Sequence, residues 1–175
     1  EYNLFEIKKV EINTKNDIVV FNHHEILPLI YDVNKFDYNL LSVAEKKIYF
    51  INTILPSILI EKEKVNNLQK SLGYIRYKIN KNIALNEYEE KLLTKNFKKY
   101  RVKSQKIDEL ISKITTPPND IILAQAIIET AWGASRFFRE ANNAFGIWSF
   151  DEKEARIPSL NGYRNGKRVY LKRYS

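Results

Sequence analysis

Hydrophobic and polar positions divide this chain near residue 42. Before it, residues 1–41 are rich in Asn, Asp and Lys and carry only short β-branched clusters, notably residues 18–21, with no sustained helical period. They predict an irregular N-terminal arm with one strand. Ser42-Val-Ala-Glu45 then has the form of a capping box and predicts a helix start. Behind it Ile48, Ile51, Leu55, Ile58, Leu59 and Val65 recur at three- and four-residue steps. Pro56 removes one backbone donor and predicts a kink, and Gly73 predicts the stop. Residues 74–83 predict a short further helix. Asn86 with Glu89 repeats the cap before a helix carrying Tyr88, Leu92, Leu93 and Phe97. Ser104 is expected to cap another, with Ile107, Leu110, Ile111 and Ile114 on one stripe. Residues 42–115 thus read as a helical region packing on the core of the C-terminal segment.

That segment, residues 116–175, opens with Thr116-Pro117-Pro118-Asn119, a helix-start signal because proline is tolerated in the first turn. The next stretch, IILAQAIIETAWG, is apolar almost all the way round, which predicts a helix buried on every side and ended by Gly133. Residues 135–140 offer a short helical turn, and NNAFGIW comes next at 142–148.

Composition adds limits. An apolar fraction of 44% over 175 residues supports a packed core in one extended domain or two small ones. A net charge of +8 suggests an anionic partner: nucleic acid, a membrane surface, or a cell-wall polymer bearing carboxylates and phosphates. Lys interleaved with Glu, as at 61–64, reads instead as a solvated helix face. With no cysteine there is no disulfide framework, and both cytoplasm and periplasm stay open. No run reaches the roughly 20 apolar residues of a membrane span, and EYNLFEIKKV lacks a secretory-signal layout. His23 and His24 stand adjacent without a spaced carboxylate set, so plain surface histidines are expected rather than a metal site.

Into the apolar helix the sequence puts one carboxylate, Glu129, whose neighbours one turn away are Gln125, Ala126, Trp132 and Gly133. None is a cation, whereas Glu87 has Lys91, Glu109 has Lys113 and Glu140 has Arg136 at a four-residue step. A carboxylate pressed against an indole and aliphatic groups loses hydration of its charged form, so its pKa is expected to rise toward that of a general acid. The ordinary reading is a Glu at a helix end that reaches solvent or pairs with Arg136 or Arg139. In NNAFGIW the amides suit N-acetyl groups and the aromatic faces suit sugar rings; for Phe145 and Trp148, core packing is the ordinary reading.

The string AQAIIETAWGASRFFREANNAFGIW, residues 124–148, resembles the peptidoglycan N-acetylglucosaminidases of the flagellar-rod and bacterial Bax type. FINTILPSILIEKEKV, residues 50–65, resembles the helical leader of the Bax branch more loosely, and residues 1–41 are unmatched. The resemblance implies a mainly α, lysozyme-like helical domain with a small antiparallel β-hairpin near the C-terminus, and a catalytic segment at 116–175. It implies hydrolysis of the β-1,4 bond after N-acetylglucosamine in peptidoglycan, with Glu129 as the catalytic acid and Gln125, Trp132, Asn143, Phe145, Trp148 and Tyr170 shaping the sugar site. No metal or organic cofactor is needed for such chemistry. The implied partner is the glycan strand, bound by a monomer in the periplasm or cell envelope. For the hairpin, Asn161-Gly162 and Asn165-Gly166 are both type I′ turn signals, with Val169 and Leu171 alternating against Arg168, Tyr170, Lys172 and Tyr174.

Two departures stand out. Related enzymes often carry a second carboxylate in the hairpin lobe, where this register puts Tyr170; the nearby acids Asp151, Glu152 and Glu154 are the candidates, and exposed loop charge is their ordinary reading. Without one, the substrate's own N-acetyl group or a water would stabilise the oxocarbenium-like transition state. Relatives also continue with a helix that closes the groove, while this chain stops at Ser175. The alternatives are a lytic transglycosylase, a non-catalytic peptidoglycan-binding module and, last, a basic nucleic-acid-binding bundle with no recognised motif.

Overall fold

A computed structural model describes residues 6–21, 27–34 and 36–174, so His23 and His24 lie outside the described residues. The chain forms two compact units, one from residues 1–58 with 118–175 and the other from 59–117. It is mainly helical, with a small antiparallel sheet near the C-terminus, as the resemblance implied.

In the first unit, the stretch expected as an irregular arm contributes two short strands. β1 (Lys8–Glu11) and β2 (Leu29–Asp32) pair in parallel, Lys8 opposite Leu29 and Glu11 opposite Asp32. Their pairing is held in place by burial: Ile12, Ile18, Leu29, Tyr31, Val33, Phe36 and Tyr38 form one core with Phe50, Ile54, Ile58, Ala126, Phe138 and Ala144. The Tyr31 hydroxyl accepts from the Val19 amide at 3.0 Å, and Phe21 N–H donates to Asn52 Oδ1 at 2.9 Å, tying Val19 and Phe21 to the core.

Helix α1 (Val43–Asn80) starts where the capping box predicts. The Glu45 amide donates to Ser42 Oγ at 3.3 Å, while Glu45 Oε2 accepts from the Ser42 amide at 3.1 Å and its hydroxyl at 2.7 Å. Lys15 adds an ion pair to Glu45 at 2.7 Å. Hydrogen bonds from Lys15 and then Ser42 hold the Glu45 carboxyl down at about 2. A depressed folded-state value means that this stabilisation is present above the ordinary Glu range and is lost as pH falls toward 2. Acid titration followed by circular dichroism should therefore show a loss of stability in that window, and Glu45→Gln should flatten it.

α1 runs on through Pro56 and through Gly73, where the sequence predicted a stop. Gly73 does not take a positive φ, and its neighbours Leu72 and Ile75 are buried in the second unit's core. Burying two aliphatic side chains, at roughly 1.5–3 kcal/mol each, outweighs a mid-helix glycine at about 1 kcal/mol. The stop comes instead at Asn82 (φ 54°), where the Ile83 amide reaches back to the Lys78 carbonyl at 2.9 Å.

Within the second unit, α2 (Glu87–Lys99) opens on the expected Asn86/Glu89 box, with bonds of 2.9 and 2.8 Å. α3 (Ile107–Lys113) begins later than Ser104 predicted: Ser104 Oγ accepts from the Lys106 amide and bonds the Glu109 carboxylate instead of capping the helix. Leu72, Ile75, Leu93, Val102, Ile107, Leu110 and Ile114 form the core.

The first unit is completed by α4 (Asn119–Thr130), α5 (Arg136–Ala141), β3 (Trp148–Ser149), β4 (Arg156–Arg164) and β5 (Lys167–Lys172), the sheet running in the order β3-β5-β4. Asn165 and Gly166 (φ 52° and 72°) make the predicted hairpin turn. Asn161-Gly162 does not turn. It lies inside β4, where the register shifts between Pro158 and Tyr163, and a Cβ on Gly162 would stand 2.5 Å from Val169 Cγ2. The glycine there answers a close cross-strand approach.

Candidate active site

Helix α4 packs Ile122, Leu123, Ala126 and Ile127 into the core but is not buried on every side. Ile121, Gln125 and Ile128 fall at four- and three-residue steps on one open face, Ile128 being 78% exposed. Glu129 lies one turn beyond Gln125 and is exposed too. The expected burial of this carboxylate among aliphatic groups is therefore not the arrangement found: the helix lays it at the rim of the core.

A left-handed turn fixes that rim. Ala131, Trp132 and Gly133 have φ of 48°, 61° and 84° in succession. Two of the three are L-residues, each held there against a cost of about 1–2 kcal/mol. Thr130, 1% exposed, staples the turn: its hydroxyl donates to the Ala126 carbonyl at 2.6 Å and accepts from the Gly133 amide at 3.0 Å. Trp132, expected beside the sugar, sets its ring edge-on to Phe50 at 6.0 Å, with the Lys47 ammonium 5.6 Å from its centroid. The half-buried indole thus anchors the turn to the core.

Both arginines that could have neutralised Glu129 are occupied. Arg136 pairs with Glu140 at 2.8 Å and donates to the Pro158 carbonyl, and Arg139 pairs with Asp37 at 3.0 Å. Among the described residues Glu129 makes no hydrogen bond or ion pair.

The two asparagines of NNAFGIW build the loop that faces it. Asn142 takes the left-handed position after α5 (φ 50°) and accepts from the Val33 amide at 2.8 Å while donating to Asp32 Oδ1 and the Tyr174 carbonyl, both at 3.0 Å. Asn143 is 2% exposed: its amide donates to the Ile147 and Lys172 carbonyls and accepts from the Ile147 amide, all at 2.9 Å. Asn143, expected to touch substrate, instead spends both side-chain N–H donors and one acceptor position closing the loop onto β5. That closure carries Gly146 (φ 61°) to the acid, where a Cβ would sit 3.5 Å from Glu129 Oε2. Gly146, part of the matched string, was not among the residues assigned to the sugar site from the sequence; a lone glycine between two aromatics was its signal. Its chain neighbours Phe145, Ile147 and Trp148 are exposed by 40–47%, so the loop presents apolar faces to solvent.

The candidate second acids are differently placed. Glu154 accepts from Lys172 at 2.6 Å and Ser149 at 3.0 Å, and these bonds, that of Lys172 first, hold its carboxyl below the usual range. Its charge is already matched. Glu152 is 91% exposed and loosely paired with Arg156 at 3.7 Å, and Asp151 caps the Lys153 amide at 2.9 Å. Tyr170 carries the Arg156 guanidinium 4.1 Å over its ring. Each of these four side chains has a structural partner, unlike Glu129.

Residues 104–174 match the family model described as mannosyl-glycoprotein endo-beta-N-acetylglucosaminidase. No curated protein and no solved structure matches the chain.

Proposed function

Because residues 104–174 match the glucosaminidase family model, we propose that the protein is a glycosidase that hydrolyses the β-1,4 bond after N-acetylglucosamine in peptidoglycan, with Glu129 as general acid. The observation that supports this reading is the exposed Glu129 carboxylate, unpaired among the described residues and set against Gly146, in a loop flanked by exposed Phe145 and Trp148. A glycine there leaves backbone rather than side chain beside the acid, so a sugar ring can approach it. Gln125, exposed one turn earlier on the same face, is placed to bond an amide or hydroxyl of the glycan.

In this mechanism a bound glycan covers Glu129 and takes it out of water. Glu129 then gives its proton to the glycosidic oxygen as the C–O bond breaks. Since Glu154 is matched by Lys172, the positive charge at the anomeric carbon is met by the substrate's own N-acetyl oxygen. Water then attacks that carbon and returns its proton to the Glu129 carboxylate, leaving a free reducing end. The protein acts at the cell envelope, as a monomer.

Products of digested cell-wall sacculi test the reading by mass spectrometry. Free reducing N-acetylglucosamine ends are expected; exclusively anhydro-muramic ends would assign a lytic transglycosylase, and binding without any cleavage would assign a carbohydrate-binding module.

A further inference from the structure

Residues 95–106 of the second unit carry Lys95, Lys98, Lys99, Arg101, Lys103 and Lys106 with no acid among them. Other cations of the same unit are matched, as in Lys78–Glu89, Arg76–Asp108 and Lys113–Glu109. None of these six makes an ion pair among the described residues; Lys99 lies over the Tyr100 ring, 5.3 Å from its centroid.

The arrangement is concave. An open groove of about 740 Å³ runs along the end of α2 and the loop after it, with Leu93, Phe97 and Val102 as an apolar floor and exposed Lys98, Arg101 and Lys103 on its rim. Arg101 sits in the left-handed region (φ 54°), just past a helix end closed by the Val102 amide on the Phe97 carbonyl at 2.9 Å. The α2 macrodipole accounts for cations at its C-terminus, such as Lys98 and Lys99. It does not account for Lys103 or for Lys106, the residue capping α3, because a helix N-terminus disfavours positive charge.

We propose that this groove is a second, non-catalytic site that binds carboxylate-bearing strands of the cell-wall glycan, holding the insoluble polymer on which the glucosaminidase domain acts. The choice of polymer rests on the proposed function. The apolar floor and the Thr94 and Gln105 side chains suit a ligand of sugar faces, methyl groups and amides with scattered carboxylates. A dense phosphodiester chain would leave that floor unused and meet Glu90 at the groove's edge.

The test compares the full chain with its Lys98→Ala/Arg101→Ala/Lys103→Ala variant. Co-sedimentation is measured with purified sacculi, with sacculi whose carboxylates have been amidated, and with duplex DNA. Wild type is expected to sediment with native sacculi, to be released by salt, and to bind amidated sacculi at least tenfold more weakly. The triple variant should lose at least tenfold on native sacculi while cleaving a soluble, uncharged N-acetylglucosamine oligomer at the wild-type rate. A variant that binds within twofold of wild type overturns the proposal, as does equal binding to amidated sacculi or tighter retention on DNA than on sacculi. If wild type cleaves no soluble oligomer and the triple variant still loses sacculus binding, the groove stands and the hydrolase reading falls.

Discussion

Glu129→Gln is expected to slow glycan hydrolysis by about three orders of magnitude, the middle of the range for removing a general acid. The amide keeps the shape of the side chain and its hydrogen-bonding reach but has no proton to give the leaving oxygen. Because Glu129 is exposed and makes no ion pair or hydrogen bond among the described residues, the exchange breaks no structural contact. Stability should stay within about 0.5 kcal/mol of wild type, as for surface substitutions away from special features. Reducing ends released from sacculi measure the rate, and a urea titration measures the fold. A variant that keeps wild-type turnover would remove Glu129 from the chemistry, and one that unfolds would show that its role is structural.

Isolation of that acid was readable from the chain alone, since its i±4 neighbours hold no cation while those of Glu87, Glu109 and Glu140 include one. The same locality explains which elements were legible. Ser42 with Glu45, Asn86 with Glu89, and Asn165 with Gly166 are signals in which residues at most three apart bond each other or set one turn. Features decided by distant parts of the chain were not legible. Each of β1 and β2 is four residues long, and their shared burial with Phe50 and Phe138 pairs them. The open face of α4 results from where the core ends, which a run of aliphatic residues does not reveal. Asn143 carries the amide that a sugar-binding residue would need, and only its 2% exposure and three bonds mark it as the staple of the loop. Asn142 had a clearer local signal, because asparagine after a helix is favoured in the left-handed cap.

The turn behind Glu129 predicts a large loss of stability from a single methyl group. At Gly133 a Cβ would stand 2.8 Å from both Cγ and Cδ2 of Tyr38 and 3.1 Å from Cδ2 of Phe50, at a φ of 84° that an L-residue adopts only under strain. Tyr38 cannot yield easily. Its ring is fully buried edge-on to Phe36 at 4.8 Å and Phe50 at 6.0 Å, and its hydroxyl shares a hydrogen bond of 2.7 Å with Thr53. Overpacking at about 1–3 kcal/mol and a left-handed alanine at about 1 kcal/mol together put Gly133→Ala at about 2–4 kcal/mol, a large part of the roughly 5–15 kcal/mol that holds a domain folded. Gly73→Ala is the matched control. That glycine sits inside α1 with nothing within 4 Å of its added methyl, so the same change should stabilise by about 0.5–1 kcal/mol. Tryptophan fluorescence reports on the unit that holds Gly133, because Trp132 packs in the turn itself and Trp148 on β3, and circular dichroism at 222 nm reports on helix α1 for Gly73→Ala. A urea midpoint that falls for Gly133→Ala and rises for Gly73→Ala is the expected pair. Unchanged midpoints at Gly133 would mean that Tyr38 and Phe50 move aside, and the geometry that sets Glu129 against Gly146 would then not depend on this turn.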